Sequence, residues 1–242
     1  MISLDRDGHA CMSQRQITAA TDNPAKLVEL QQVVGDLATV VPLPAELFDP
    51  AFAGAPVEQG DSIEEIAASK AVNWSRILAA RHLDSLTVAS DGGLLIPALG
   101  DQWNPRLTRR FAGEAASDLD RSLRLLDLAR HLTGDERSIA WREGIAIAVR
   151  GELLGLWSAT GSPGRLAKTV RPDLIDHTPG FWIPAIWEAP GFGHRRLAEL
   201  TDDEREQLDD HWRRLREPVR AGLARSMLSG NLTMSETRPS DQ

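Results

Sequence analysis

Two hydrophobic periods alternate along the chain, one typical of strands and one typical of helices. Short apolar runs predict strands at 16–20, 86–90, 138–149 and 152–159. Apolar residues at helical spacing predict helices at 24–35, 61–82, 117–131 and 202–228, with a bend in the last at Pro218. The two longest strands meet at a tight turn, Arg150-Gly151, rather than through a helix. The alternation therefore predicts an α/β fold with a mixed central sheet and flanking helices.

The two ends of the chain show neither period, and both are polar. Residues 1–15 predict a flexible leader without the apolar segment of a secretory signal, and residues 229–242 predict a polar tail. Residues 16–228 are expected to form the folded domain. Within that domain, the Pro-rich stretch 41–56 predicts a loop.

The composition narrows the classes of function. The chain has 242 residues, of which 42% are hydrophobic and 26% charged, so it is long enough to bury a full core. A net charge of −8 disfavours binding to nucleic acid polymers, and no apolar run approaches the roughly 20 residues of a membrane helix. The single cysteine, Cys11, excludes an intramolecular disulfide. We therefore expect a cytoplasmic protein that binds neither nucleic acid polymers nor membranes.

Lysines are rare in this chain, since the 27 basic residues include only Lys26, Lys70 and Lys168. Lys26 lies in the first predicted helix, which has Asn23 as its cap and Pro24 in its first turn. A helix N-terminus offers free N–H groups and the positive end of a dipole, so this turn could hold a phosphate. A capped helix carrying a solvated lysine is the other interpretation.

A second candidate segment begins the helix at 61–82. Ser62 and Glu65 have capping-box spacing, and Lys70 lies within the helix. Glu58 precedes the cap, where a carboxylate could bind a hard cation that prefers oxygen ligands. The alternative is that the acidic residues here only complement the helix dipole.

The third candidate is Asp91, which follows the strand at 86–90 and precedes two glycines. Open α/β sheets place ligands at the carboxyl ends of their strands, so this carboxylate could bind Mg²⁺ or orient a water molecule. An Asp-Gly turn, in which the aspartate binds its own backbone, is an equally simple interpretation.

Taken in order, these segments resemble the inosine triphosphate pyrophosphatase family, which hydrolyses non-canonical purine nucleoside triphosphates. The resemblance runs from about Ile17 to Leu223. Five segments carry the resemblance. Residues 21–26 fit the family motif Ser/Thr-x-Asn-x-x-Lys, and residues 58–71 fit Glu-x-Gly-x-Ser/Thr-x-x-Glu-x-Ala-x-x-Lys-Ala. Residues 89–94 are similar to Ala-Asp-Asp-Ser-Gly-Leu, residues 99–113 to Leu-Gly-Gly-x-Pro-Gly and Ser-Ala-Arg-Tyr-Ala-Gly, and residues 198–205 to Ala-Glu-Leu-Thr-x-Glu-Glu-Lys.

The chain departs from the family at several positions. Residues 90–91 are Ser-Asp where the family has two acidic residues, and Gly92 stands where it has a serine. The family segment Gly-Phe-Gly-Tyr-Asp-Pro, which helps to hold the base, is shortened to residues 180–184. The family's Ser-His-Arg is approximated by residues 211–213, His-Trp-Arg. The motifs that the family uses for phosphate and metal are thus matched more closely than those that it uses to recognise the base.

The resemblance implies two lobes around a nucleotide-binding cleft, a homodimer, and a Mg²⁺-dependent attack of water on the α-phosphorus. That reaction releases pyrophosphate and a nucleoside monophosphate. By the same resemblance, four residues would hold the triphosphate: Thr21, Asn23, Lys26 and Lys70. Glu58 and Asp91 would bind Mg²⁺, and Asp91 would also activate the water as the general base.

For the base, the resemblance implies that Phe181 and Trp182 provide two aromatic faces. His211 or Arg213 would form a hydrogen bond with the edge of the base. Three further substrate-binding positions are implied: Gly92, Arg110 and Arg205, the last where the family has a lysine. The other tryptophans are expected to pack in the core or in an interface.

Three other functions remain open from the sequence. The shortened base segment allows a nucleotide pyrophosphatase with another base choice, such as the related Maf-type enzymes. The missing second carboxylate at Ser90 allows a catalytically weak nucleotide-binding or regulatory protein. The third is an α/β domain with an unrelated partner surface.

Overall fold

The computed structural model describes residues 3–4, 10–11, 15–47, 56, 59–83, 85–175 and 181–228. The chain forms two compact units. The first unit consists of Met1–Asp91, Gly144–Ser158 and Leu215–Gln242, and the second consists of Gly92–Glu143 and Ala159–Arg214. Each unit therefore combines segments that are distant in the sequence.

The regular elements alternate along the chain as the sequence predicts. The strands are β1 (Ser3–Leu4), β2 (Ala10–Cys11), β3 (Gln16–Ala19), β4 (Thr39–Pro42), β5 (Leu86–Leu95), β6 (Ser138–Val149), β7 (Glu152–Thr160), β8 (Gly164–Leu166), β9 (Trp187–Ala189) and β10 (Arg195–Arg196). The helices are α1 (Pro24–Val34), α2 (Ile63–Ala80), α3 (Asp118–Leu128), α4 (Pro172–Ile175), α5 (Asp202–Glu206) and α6 (His211–Leu228). β1 pairs with β2, and the other strands pair in a mixed sheet.

In the first unit, β3 lies between two parallel neighbours. Ile17 is opposite Val40 of β4 and Leu86 of β5. β3 ends at Ala19, which is paired with Val88, whereas β5 runs on past this pair. Because the strands are parallel, the end of β3, the turn into α1 and the next residues of β5 lie at the same edge. This edge is where open α/β sheets place their ligands.

Small side chains bring α2 close to the sheet of the first unit. Ala67 and Ala71 of the helix are fully buried in a cluster with three alanines of the sheet: Ala89, Ala146 and Ala148. Gly144 of β6 allows the same close approach, since a Cβ there would lie 3.3 Å from the Cα of Glu64. This packing positions the helix that carries Lys70.

Both helices of the first unit begin at capped ends, as predicted. Asn23 accepts a hydrogen bond from the N–H of Ala25 at 3.0 Å, and Ser62 accepts one from the N–H of Glu65 at 3.1 Å. The carboxylate of Glu65 turns back to the N–H of Asp61 at 2.7 Å, one residue before the cap. The caps fix where each helix starts, and so where its lysine lies.

The second unit is built on antiparallel strand pairs. Ile139 of β6 is opposite Gly164 of β8, and Arg165 of β8 is opposite Glu188 of β9. Its core is large and includes Leu125 of α3, together with several residues that are almost completely buried: Leu94, Leu99, Leu166, Ile183 and Ile186.

The structure confirms the α/β fold with a mixed sheet and flanking helices, and it confirms the strand pair turning at Arg150-Gly151. The predicted helix over 202–228 is wrong, because it is two helices. The Asp210 side chain accepts from the N–H of Arg213 at 2.7 Å and so caps a new helix, α6. The sequence also missed β4 and the short strands β8, β9 and β10.

The predicted strand over 86–90 is too short, because β5 continues through the two glycines to Leu95. Most of the predicted leader, residues 48–55 of the predicted loop and the tail at 229–242 lie outside the described residues. None of the helices in the described part of the chain has the length and apolar content that a membrane crossing requires.

Candidate functional site

An ion pair in the first unit joins two of the predicted site residues. The ammonium of Lys70, from α2, donates to Asp91 Oδ1, from β5, at 2.9 Å. The two side chains are only 15% and 16% exposed. The low exposure strengthens the attraction between the two charges relative to a surface ion pair.

Lys26 reaches the same segment of β5 from the other helix. Its Nζ lies 3.5 Å from the carbonyl oxygen of Ser90. Two of the three lysines in the chain therefore meet at Ser90-Asp91, whereas Lys168 is exposed in the second unit.

The turn between β3 and α1 lies beside this segment. The N–H of Ala20 donates to the carbonyl of Val88 at 2.8 Å, which ties the turn to β5. Thr21 Oγ1 accepts from the N–H of Asn23 at 3.2 Å. Asp22 is exposed. The edge thus gathers a helix start, a hydroxyl and two ammonium groups, a set that suits an anionic ligand.

The backbone around Asp91 is extended, so the Asp-Gly turn considered from the sequence is wrong. Neighbouring residues of a strand point to opposite faces, so Ser90 cannot share a face with Asp91. Ser90 is 5% exposed, and among the described residues its Oγ, like that of Thr87, has no hydrogen-bond partner. The hydroxyl does not replace the carboxylate that the family has at this position.

The segment before α2 is partly described. Glu58 lies outside the described residues, so its predicted metal-binding role stays a prediction. Gly60 has a φ of +156°, and a Cβ there would come within 2.7 Å of the backbone nitrogen of Ile66. Only glycine fits this close approach, which gives a physical reason for the glycine of the matched motif.

In the second unit, two of the predicted base-binding residues meet at a tryptophan. The rings of Trp141 and Phe181 are 5.2 Å apart and nearly perpendicular. The rings of Trp141 and His211 are 6.1 Å apart and tilted by 37°. The sequence did not single out Trp141, which it expected to pack in the core or an interface, and Trp141 does pack against the core of the second unit while staying half-buried.

The aromatic stacking role predicted for Trp182 is wrong. Its side chain is 3% exposed in the core of the second unit, where its ring lies 5.9 Å from that of Phe111. A base cannot reach a ring that is buried on both faces. The family resemblance led to the prediction, and a motif position does not by itself separate a ring in the core from a ring that binds a ligand.

The predicted arginines lie at separate places in the second unit. Arg110 is 56% exposed and lies 3.6 Å from a carboxylate oxygen of Glu114. Arg213 is exposed and donates to the carbonyl of Glu206 at 3.1 Å. Arg205 is half-buried, and within the described part of the chain its Nε has no hydrogen-bond partner. None of these described contacts involves the group around Trp141.

Gly92 adjoins a buried glutamate that the sequence did not single out. Glu143 of β6 is 1% exposed, and its Oε2 accepts from the indole N–H of Trp141 at 2.9 Å. A Cβ at Gly92 would overlap this carboxylate and come within 2.7 Å of Trp141 Nε1. One glutamate inside an apolar strand, two residues after a tryptophan, is the sequence signal that could have found the pair.

Mg²⁺ is the metal that the family resemblance implies. No three His, Cys, Asp or Glu side chains gather as a metal site in the described ranges. Mg²⁺ is commonly held by one or two carboxylates together with substrate phosphates rather than by a full protein cage. Asp91, next to two lysines that suit phosphate, fits that mode of binding.

The comparison with protein families decides the membership. The model of the Ham1 family matches residues 17–216. The chain belongs to the Ham1 family. The match covers most of the chain and confirms the resemblance on which the site residues were predicted.

The chain is similar to proteins named dITP/XTP pyrophosphatase and to a solved HAM1 structure. The dITP/XTP pyrophosphatase of Shouchella clausii (strain KSM-K16) is 30% identical over 201 residues, covering 83% of this chain and 92% of the relative. The dITP/XTP pyrophosphatase of Thermoanaerobacter sp. (strain X514) is 29% identical over 200 residues, covering 80% and 89%. The structure of a HAM1 protein from Coxiella burnetii matches with a TM-score of 0.68 at 24% identity, covering 87% of this chain and 99% of that one. The structural likeness confirms the fold.

Proposed function

We propose that this Ham1 family member is a hydrolase that cleaves non-canonical purine nucleoside triphosphates, of the dITP and XTP class, to nucleoside monophosphate and pyrophosphate. The names of the relatives support this substrate class. The observation that carries the proposal is the meeting of Lys26, Lys70 and Asp91 at one edge of the first unit.

The lysines would hold the triphosphate. Cleavage of a phosphoanhydride depends mainly on positioning and on neutralising the charge that develops on phosphate oxygens. Lys26 and Lys70 supply two positive charges, and Thr21 and Asn23 sit at the start of α1, whose free N–H groups also favour an anion. These four residues suit the binding of a polyphosphate.

Asp91 would act as the general base. A water oxygen forms a bond to the α-phosphorus while the bond from that phosphorus to the bridging oxygen of the pyrophosphate breaks. The proton of the water passes to the Asp91 carboxylate, and pyrophosphate leaves with the bridging oxygen. Lys70, at 2.9 Å from Asp91, would orient the carboxylate until the substrate phosphates bind.

Mg²⁺ would be held by Glu58 and Asp91 together with phosphate oxygens of the substrate. When bound, it withdraws negative charge from the phosphates and lowers the barrier to attack. Dependence of turnover on Mg²⁺ is therefore part of the proposal, and a chelator should abolish activity reversibly.

The second unit would hold the base. Phe181, which is 37% exposed, and His211 lie beside Trp141 and suit contact with a purine ring and its edge. Four further residues stay predicted substrate-binding positions, although their described contacts do not converge on one point: Gly92, Arg110, Arg205 and Arg213. By the family resemblance we also propose that the protein is cytoplasmic and forms a homodimer. Light scattering at two protein concentrations would test the oligomeric state.

The test is a panel of dITP, XTP, ITP and the four standard ribonucleoside triphosphates with Mg²⁺, with pyrophosphate and orthophosphate measured separately. The proposal expects pyrophosphate from dITP, XTP and ITP and far slower release from the standard nucleotides. Equal or faster cleavage of the standard nucleotides contradicts the base preference, and release of orthophosphate alone contradicts the bond that is broken.

A second candidate is a protein that binds nucleotide without turning it over. The absence of a carboxylate at Ser90, whose buried hydroxyl has no hydrogen-bond partner among the described residues, favours it. Binding of dITP in calorimetry, with no pyrophosphate at any Mg²⁺ concentration, would support this candidate over the first.

A further inference from the structure

The second unit carries a partly exposed aromatic group that the sequence did not predict as a group. Trp141 is half-buried at its centre, with Phe181 at 5.2 Å and His211 at 6.1 Å. Phe181 is 37% exposed, so part of its ring is open to a ligand. Phe181 and His211, which the family resemblance assigns to base binding, therefore both lie beside Trp141.

A base that stacks on an aromatic ring needs part of that ring to be accessible. Trp182, the second ring expected from the sequence, is 3% exposed and packs in the core. Trp141 packs against the same core but is only half-buried, and its ring is nearly perpendicular to that of Phe181. These two rings leave no gap for a base between them, so a base would stack on the accessible part of Trp141 alone.

The indole of Trp141 is held by a buried carboxylate. Glu143 accepts from Trp141 Nε1 at 2.9 Å and is itself 1% exposed. A hydrogen bond to a carboxylate is stronger than one between neutral groups, so it restricts rotation of the ring. Because the ring is already ordered, less side-chain entropy is lost when a ligand binds against it.

Gly92 makes room for this pair. A Cβ at position 92 would overlap the Glu143 carboxylate and approach Trp141 Nε1 to 2.7 Å. The glycine at this position, where the family has serine, and the glutamate in β6 are therefore physically coupled. A side chain at position 92 would have to displace the Glu143 carboxylate from its present position.

Resting on the proposed function, we propose that Trp141 is the ring against which the purine base of the substrate stacks, and that Glu143 is a positioning residue that holds the Trp141 indole. The ligand class is a purine nucleotide, and the new substrate-binding residue is Trp141. Stacking of a base on an aromatic side chain tolerates any purine, so recognition of the base edge falls to other groups.

The test uses the full chain with Trp141→Phe and Trp141→Ala, and Trp157→Phe as the matched control. Trp157 is a half-buried tryptophan of β7 in the first unit. Trp141→Ala should raise KM for dITP about 10-fold to 100-fold with little change in kcat, and Trp141→Phe should raise it less. The KM of the control should stay within about twofold of wild type, because Trp157 packs beside Gly155 and Gly222 in the first unit and has no proposed contact with the base.

A binding measurement separates this inference from the proposed function. Tryptophan emission is followed during titration with dIMP in the absence of Mg²⁺, so that no turnover is needed. Quenching by dIMP that is lost in Trp141→Phe and kept in Trp157→Phe supports the inference even if no substrate is cleaved. Turnover of dITP with an unchanged KM in both Trp141 variants overturns the inference alone. Failure of every nucleotide to bind overturns both.

The positioning role of Glu143 has its own variants. Glu143→Gln keeps an acceptor for the indole N–H and should keep KM within a few-fold of wild type, whereas Glu143→Leu should raise KM as Trp141→Ala does. Gly92→Ala should act in the same direction by displacing the carboxylate. If Glu143→Leu does not fold, the KM values of Gly92→Ala and Glu143→Gln still test the positioning role. A wild-type KM in Gly92→Ala, or a large rise in Glu143→Gln, contradicts the positioning role.

Discussion

The ammonium of Lys70 donates to the carboxylate of Asp91 at 2.9 Å, with both side chains about five-sixths buried. Each residue limits the conformations of the other, and the charge of each is partly balanced before any ligand arrives. Under the proposed function, a phosphate that binds here would compete with Asp91 for Lys70 and would free the carboxylate for a water or a metal ion. The proposal therefore predicts that this pair couples the arrival of the substrate to the release of the base.

Replacement of Lys70 tests this coupling. Lys70→Met should lower kcat/KM for dITP by about 10²-fold or more, because it removes one of two charges that stabilise the phosphate oxygens. Lys70→Arg should restore only part of the rate, since the guanidinium has another shape and reach. Steady-state pyrophosphate release measures both variants.

Lys168→Met is the matched control for Lys70→Met. Lys168 is exposed in the second unit and has no proposed role, so its removal should leave kcat/KM within about twofold. A Lys70→Met enzyme as active as its Lys168→Met counterpart would remove Lys70 from the phosphate-binding role.

The stability of the second unit depends on a buried arginine. Arg137 is 2% exposed, and its guanidinium donates to the carbonyl oxygens of Leu166 at 2.7 Å, Ala129 at 2.9 Å and Leu132 at 3.3 Å, and also to that of Ala167. Burial lowers the pKa of Arg137 from its ordinary value. These bonds join β8 to the end of α3.

Arg137→Leu should destabilise the protein by about 3 kcal/mol, because it leaves several buried carbonyl groups without donors. Urea unfolding followed by circular dichroism measures the change. Arg130→Leu is the matched control: Arg130 is 76% exposed in its pair with Asp127, and its loss should cost under about 0.5 kcal/mol. Equal stabilities of the two variants would contradict the role given to the buried guanidinium.

The ion pair of Glu204 with Arg195, at 2.5 Å, predicts a pH dependence of stability. The hydrogen bond from Arg195, followed by that from the Thr201 N–H, lowers the pKa of Glu204 below its ordinary value of 4.5. The folded carboxyl therefore releases its proton more readily than the unfolded one. Its contribution to stability is fully present above about pH 4.5 and is lost as pH falls through the lower folded pKa.

Glu204→Gln should lower Tm slightly at pH 7, and the difference from wild type should shrink as pH falls below 4.5. The effect is small because the pair is partly exposed and screened by salt. Glu206→Gln, an exposed neighbour on α5, should show no such trend. Differential scanning fluorimetry across pH 3.5–7 measures both, and a difference that grows toward low pH has the wrong sign for this account.

The first unit could be predicted well because its signals are local. Asn23, Pro24 and Ser62 specify helix starts through their own side chains, and the periods of α1 and α2 place Lys26 and Lys70 relative to those starts. Parallel strands then bring the helix starts to one edge without further information. Local signals failed where Asp91 was expected to end its strand, because extended backbone through glycines depends on the neighbouring strands.

The second unit could be predicted less well because its key contacts are between distant segments. The contact of Gly92 with Glu143 depends on which strands are neighbours, and no period along the chain records that. The burial of Trp182 and the partial exposure of Trp141 likewise depend on which distant segments pack over each ring. Asp210 was a local signal that the sequence analysis overlooked, since an aspartate inside a charged run can begin a new helix.

The most direct test of the central claim is the rate of pyrophosphate release from dITP by Asp91→Asn, measured beside wild type at saturating Mg²⁺, with the affinity for dIMP measured in both. Asparagine still accepts a hydrogen bond from Lys70 but cannot take a proton from water. The account predicts a loss of at least about 10²-fold in kcat with Tm and dIMP affinity close to wild type. Turnover at the wild-type rate in Asp91→Asn would contradict it.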